Sequence, residues 1–163
     1  MSTRRRIAQW FAGLLFAGLS VGAQAAVTCT VSATGPAFGI YNPLTATPTL
    51  ANGQVSASCT LTGTTTTTVS LVSSYSAGSS GSFAARTMLS GTNTLGYNLY
   101  YDAAFSQVRG DGTGGSQTGG ASFTLTRTAP TQTTTSVIYG RIPALQDVAA
   151  GSYLDTIVFT VTY

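Results

Sequence analysis

The sharpest hydrophobic pattern in the chain is its last stretch, Gly151 to Tyr163. From Asp155 on, residues alternate. Ile157, Phe159, Val161 and Tyr163 fall on one face of a strand, and Val158, Thr160 and Thr162 on the other. Nearly all are β-branched or aromatic, which suits a pleated, half-buried surface. Each large apolar side chain is worth about 1.5–3 kcal/mol when fully buried. The pattern therefore predicts a core strand that continues to the C-terminus.

Alternation recurs upstream. Val27–Ser32 predicts a short first strand. Gly53–Leu61 places Val55, Ala57, Cys59 and Leu61 inward, with Gln54, Ser56, Ser58 and Thr60 outward. Thr64–Tyr75 predicts a strand through Val69 and Leu71, followed by a Ser/Gly loop over 76–82. Phe83–Leu89 follows, then Leu95–Tyr101, with Leu95, Tyr97 and Leu99 on one face and Tyr100 on the other. Ala121–Thr128 alternates through Phe123 and Leu125, and Val137–Ile142 predicts a strand ended by Pro143. Pro36–Pro43 is bounded by Pro and Gly and predicts a short extended piece or turn anchored by Phe38 and Tyr41. No 3.6-residue amphipathic period persists. The reading is all-β, with about eight short strands at the spacing of an antiparallel sandwich.

The first residues break this pattern. Arg4, Arg5 and Arg6 precede a mostly apolar run, Ile7–Val21, and Ala23-Gln24-Ala25 fits a small-x-small cleavage site. Residues 1–25 are expected to be a signal peptide cleaved between Ala25 and Ala26, leaving one domain over 26–163. The run is short for a transmembrane helix, and the residues after the arginines fit a twin-arginine signal poorly. Export agrees with the cysteines. Cys29 and Cys59 are the only two, and an oxidising compartment would join them. Closing that loop stabilises by roughly 3–4 kcal/mol in the chain-entropy model.

Charge narrows the function. The formal net charge is +3, but three of the seven Arg lie in the leader. Four Arg and four Asp remain, and the chain has no Lys, Glu or His. No basic patch is available for a nucleic-acid backbone. General-base and metal constellations lack their usual side chains, so no catalytic residue and no metal or cofactor site is expected. Asp102, Asp111, Asp147 and Asp155 fall in loops or at strand ends, where Asp serves turns. Arg86, Arg109, Arg127 and Arg141 are expected at the surface or paired with those Asp. Gly110–Gly120 lacks a P-loop Lys and reads as a flexible hairpin connection. Arg109-Gly110-Asp111 spells RGD, for which chance is the better explanation. A structural or binding protein is expected.

Taken together the landmarks form a set: Cys29; Phe38-Gly39 with Tyr41; Gly53 through Val55 to Cys59; Arg86 with Met88; Leu95, Tyr97, Leu99, Tyr100 and Asp102. Gly110-Asp111-Gly112, Tyr139 through Pro143, and Gly151, Tyr153, Asp155 and Thr156 before the last strand complete it. In order and spacing the chain resembles the spore coat protein U domain family, which includes major subunits of archaic, Csu-type chaperone–usher pili. It departs at Arg109, where the family often has Trp. The resemblance implies an immunoglobulin-like, pilin-type sandwich that is incomplete. Ile157, Phe159, Val161 and Tyr163 would line a groove filled first by a periplasmic chaperone and then by a neighbouring subunit's strand, after delivery to an outer-membrane usher. The implied role is a structural subunit of a surface pilus used in adhesion or biofilm formation, in the periplasm during assembly and then at the cell surface. The alternatives are a self-contained exported coat or matrix protein, and a tip carbohydrate-binding module using Tyr100 and Tyr101. Only Ala26, Val27 and Thr28 precede Cys29, too few to span a groove of about 10 residues at ~3.3 Å each. Three readings follow: the donor extension includes Cys29-Thr30-Val31, in conflict with their place in the domain; the subunit accepts a strand and donates none, as a terminal subunit would; or the domain is not a fibre repeat.

Overall fold

The computed structural model describes residues 26–163. The expected leader and Ala25 lie outside the described residues. Eight strands follow in order: β1 (Ala26–Thr34), β2 (Thr49–Thr62), β3 (Thr67–Tyr75), β4 (Arg86–Ser90), β5 (Asn93–Tyr100), β6 (Gly119–Leu125), β7 (Thr131–Ile142) and β8 (Phe159–Thr162). A single 3-10 turn, Gly78–Ser80, follows β3. The strands form a five-stranded sheet, β1-β2-β7-β5-β4, and a three-stranded sheet, β6-β3-β8. Every strand pair is antiparallel. This is the all-β antiparallel sandwich expected from the alternation.

The inward positions of β2 account for the core. Val55, Ala57, Cys59 and Leu61 are all buried. Val55 joins Tyr75, Met88, Leu95, Tyr97, Leu99, Ile138 and Ile142 in one cluster. Ala57, Cys59 and Leu61 join Val69, Leu71 and Leu125 in another. Alternation therefore reads correctly where a strand has one face on the core. Cys29 lies directly opposite Cys59 in the β1–β2 register, and the two form a disulfide with S–S 2.03 Å. Gly53, near the β1 end, is required by space: a Cβ there would lie 2.4 Å from the Thr34 carbonyl oxygen.

Two expectations change. The C-terminal strand is shorter than its pattern, because only Phe159–Thr162 pair with β3. Residues ahead of it are extended but touch the sheets through isolated bonds, such as the Leu89–Leu154 bridge. None of Ile157, Phe159 or Val161 is fully buried, and Tyr163 is 58% exposed. Alternation specifies which face is apolar; whether enough protein covers that face depends on the second sheet, which has just three strands. The Gly-rich connection is likewise not a slack linker. Gly110 and Gln117 are joined by backbone bonding, Asp111 Oδ1 accepts from Thr113 N and Oγ1, and Ser116 is buried. A Cβ on Gly110 would meet Ser116 Oγ at 2.0 Å, so this glycine permits close packing.

Candidate functional site

The segment between β1 and β2 crosses the open end of the sandwich. Phe38 and Tyr41 pack on the first core cluster, as expected for its anchors. Phe38 meets Tyr97 edge to face at 6.0 Å. The Tyr41 hydroxyl donates to the Pro143 carbonyl (3.1 Å) and accepts from Gln146 N (2.8 Å). Gly140 makes room, since a Cβ there would lie 2.7 Å from Phe38 Cζ.

Between this segment, the sheet floor and the residues leading into β8 runs a groove of about 1170 Å³. Met88, Leu95, Tyr97 and Ile142 are among its floor residues; Tyr153, Ile157 and Phe159 form part of its far wall. A second cavity of about 150 Å³ continues past Tyr75 and Phe159, which border both, and reaches Val161. Of the four expected groove residues, Ile157 and Phe159 thus border the large groove, and Phe159 and Val161 the small one. Tyr163 borders neither; its hydroxyl accepts from Cys29 N at 3.5 Å. β8 is an edge strand bonded to β3 alone, so its other backbone edge has no strand partner among the described residues.

The wall is fixed at its base by Asp155. Its carboxylate accepts from the Tyr97 hydroxyl (2.6 Å), Ser79 N (2.9 Å), Ser79 Oγ (2.6 Å) and Thr156 N (2.8 Å). Partial burial pushes its pKa up, but the bonds from Ser79 and Tyr97 outweigh this and hold it below the usual carboxylate range. Burial, with Asp155 beside it, pushes the Tyr97 hydroxyl well above its ordinary value. Sequence reading placed Asp155 in a turn role. The pattern contained no signal for its partners, which are 58 and 76 residues away.

The expected surface arginines are corrected in part. Arg86 and Arg109 are 0% and 1% exposed. Arg86 donates to Asn98 Oδ1 and to the Ser76 and Arg109 carbonyls. Arg109 donates to the Tyr100 and Val137 carbonyls, Tyr75 Oη and Ser136 Oγ. Every one of these acceptors is neutral. Fork geometry lets one guanidinium tie several strands together, which an Asp-pairing expectation misses. Arg109 also stacks on Tyr101, with 3.8 Å from Cζ to the ring centroid. Burial pushes the Tyr75 hydroxyl up to about 12, with Arg109 opposing the shift. The RGD tripeptide is therefore no exposed ligand, its arginine being interior. Tyr101 is no open sugar platform either: it is covered by Arg109, and its hydroxyl is buried without a partner. Tyr100 packs edge-on against Phe105 at 5.4 Å.

Among the described residues no group of three His, Cys, Asp or Glu is placed to hold a metal ion. No helix among them is long and apolar enough to cross a membrane. What the site offers is an apolar trough beside a strand edge that has no strand partner among the described residues.

The family is established by sequence. The chain belongs to the Spore Coat Protein U domain family, whose profile matches residues 15–160. It is 32% identical over 133 residues to Protein U of Myxococcus xanthus, covering 77% of this chain and 70% of that protein. Among solved structures it is similar to a chain in the CsuC–CsuE chaperone–tip adhesion subunit pre-assembly complex of archaic chaperone–usher Csu pili from Acinetobacter baumannii. That similarity has 18% identity and a TM-score of 0.48, and covers 85% of this chain and 40% of the other.

Proposed function

We propose that this protein is an exported structural subunit of a chaperone–usher surface pilus, serving adhesion or biofilm formation. Its groove accepts a strand from a periplasmic chaperone and then from a neighbouring pilin. The observation that carries this reading is the 1170 Å³ groove bordered by Ile157 and Phe159, next to the free edge of β8. An incoming strand would add main-chain bonds to that edge and drop alternate side chains into the trough. Left open, the same edge and apolar surface would invite aggregation. Residues 1–25 act as the leader, cleaved at Ala25–Ala26, and 26–163 form the domain. From Ala26 onward β1 is paired with β2 along its whole length, so on this reading its residues belong to the domain's own sheet, and the accepting edge is that of β8.

The likeness to Protein U supports a second reading, a self-contained coat protein. Periplasmic expression alone and beside a Csu-type chaperone, followed by size-exclusion chromatography, separates the two. Degradation or aggregation alone, with a one-to-one complex beside the chaperone, is expected for the pilus subunit. A cooperative, heat-stable monomer made alone would overturn it in favour of the coat protein.

A further inference from the structure

The extended residues ahead of β8 keep its register without forming a strand. β3 and β8 pair from Val72–Thr162 to Tyr75–Phe159. The next pair in that register is Ser76 with Val158, and it is bonded differently. Ser76 N donates to the Val158 carbonyl (2.9 Å), but Val158 N donates to Ser76 Oγ (2.9 Å) and not to the Ser76 carbonyl. That carbonyl accepts from Arg86 Nη2 at 2.9 Å. Three residues on, the same register sets Ser79 opposite Asp155. Here too a side chain closes the gap, since the Asp155 carboxylate accepts from Ser79 N and Oγ. Straight main-chain pairing stops between these two points. Ala77 turns into the αR region, and Gly78 is left-handed at φ +73°.

The result is a strap fastened at three points. Leu154 exchanges two backbone bonds with Leu89 on β4, at 2.8 and 3.0 Å. Asp155 is bonded to Tyr97 and Ser79, and Val158 to Ser76. β4 is an edge of the five-stranded sheet and β3 belongs to the other sheet, so the strap crosses between them. Ile157, near its centre, is half-buried on the groove wall. A free strap would lay Ile157 and Tyr153 across Met88 and Leu95, taking apolar surface out of water. The fastenings are hydrogen bonds, and they oppose that closure.

We infer that Arg86, Ser76 and Asp155 are positioning residues for strand acceptance: they stall β8 at Phe159 and hold the strap back, which keeps the groove open. The inference rests on the strand-accepting reading above. Arg86 sets the stall, because it occupies the acceptor that a longer ladder would need. Ser76 Oγ then satisfies Val158 N in place of that carbonyl. A strap released from Ser76 folds over the floor and competes with the incoming strand. Apparent affinity falls with the fraction of molecules left open. Loss of one such bond corresponds to about a tenfold effect.

The test is competition for a limiting Csu-type chaperone in the periplasm. Full-length parent and variant chains are expressed together, and the ratio captured with the chaperone is read by intact mass. Ser76→Ala removes the acceptor of Val158 N and leaves both backbone bonds of Ser76. Ser76→Thr keeps a hydroxyl there. Ser74→Ala is the control, a β3 residue in the regular ladder opposite Thr160. We expect Ser76→Ala to be captured about tenfold less than the parent, with Ser76→Thr and Ser74→Ala equal to it. The purified complexes should all melt alike, because a filled groove holds the strap back in every variant. Equal capture of Ser76→Ala, a loss shared by Ser74→Ala or Ser76→Thr, or a lower melting point of the Ser76→Ala complex overturns the inference alone. If Ser76→Ala does not accumulate, Ser79→Ala decides, since it removes one of the bonds to Asp155. About threefold weaker capture is then expected, and undiminished capture overturns the inference. Failure of the parent itself to bind the chaperone overturns the strand-accepting reading, and the inference falls with it.

Discussion

Replacing Arg109 by Met keeps a long side chain in the interior and removes the guanidinium. Four acceptors then lose their donor: the Tyr100 and Val137 carbonyls, Tyr75 Oη and Ser136 Oγ. Ser136 can hydrate, because it is exposed. Tyr75 cannot do so readily, being 3% exposed. Each buried polar group left unsatisfied costs about 1–3 kcal/mol. The stacking of the guanidinium on Tyr101 contributes roughly 1–2 kcal/mol more when desolvated. Against this, burying a cation beside neutral acceptors carries a desolvation penalty of several kcal/mol, which the variant recovers in part. The net expected loss is about 3 kcal/mol, a large share of the roughly 5–15 kcal/mol typical of a domain. With a urea slope of about 1–3 kcal/mol/M, the midpoint should fall by roughly 1–3 M. Circular dichroism during urea unfolding of the purified protein reads this directly. Arg109→Lys should recover only part of the loss, because an ammonium cannot span the same fork of acceptors. An Arg109→Met protein as stable as the parent would refute the reasoning, by showing that desolvation cancels everything the guanidinium ties together.

Asp155→Asn should cost about 1–2 kcal/mol after allowance for its partial exposure and loosen the wall that carries Ile157, as read by faster amide exchange over 154–158. The folded pKa of Asp155 is lowered, so its contribution is present above the unfolded value of about 3.9 and is lost as pH falls through the folded value. The acid limb of the stability profile should accordingly be shallower in Asp155→Asn. Gly78→Ala should destabilise by about 1–3 kcal/mol on thermal unfolding, since Gly78 has φ +73° and a Cβ would lie 2.2 Å from Asp155 Oδ2. Joint replacement of Cys29 and Cys59 by Ser should cost roughly 3–4 kcal/mol, with the parent falling to the same midpoint after reduction. Phe159→Asp, which puts a charge on the groove wall, should abolish co-elution with the co-expressed chaperone; undiminished co-elution would count against the groove as the docking site.

Strand existence and facing were legible wherever a strand has one face on the core. The β2 alternation placed Val55, Ala57, Cys59 and Leu61 correctly, and Phe38 and Tyr41 could be read as anchors between Pro and Gly breaks. The groove was legible only as an apolar C-terminal pattern. Local alternation cannot reveal that a neighbouring strand is absent, and so Ile157, Phe159 and Val161 read as core when they are half-buried. Arg86, Arg109 and the distant partners of Asp155 escaped the reading for a related reason. Their roles depend on partners such as Val137, Ser79 and Tyr97, brought in from distant strands. A charged side chain in sequence also gives no sign that backbone carbonyls will satisfy it.

The disulfide has a mechanical consequence. Cys29 is bonded to Cys59, so the edge strand is riveted to its neighbour near the strand's beginning. Tension applied at Ala26 can therefore peel only the few residues ahead of Cys29. Beyond that point the load passes through sulfur into β2, which is clamped between β1 and β7 and holds the inward residues of both core clusters. A pull that would otherwise unzip the ladder one bond at a time becomes a pull on the middle of the sheet, where many bonds must fail together. While the cystine is intact, the free margin of the sandwich is its strongest handle.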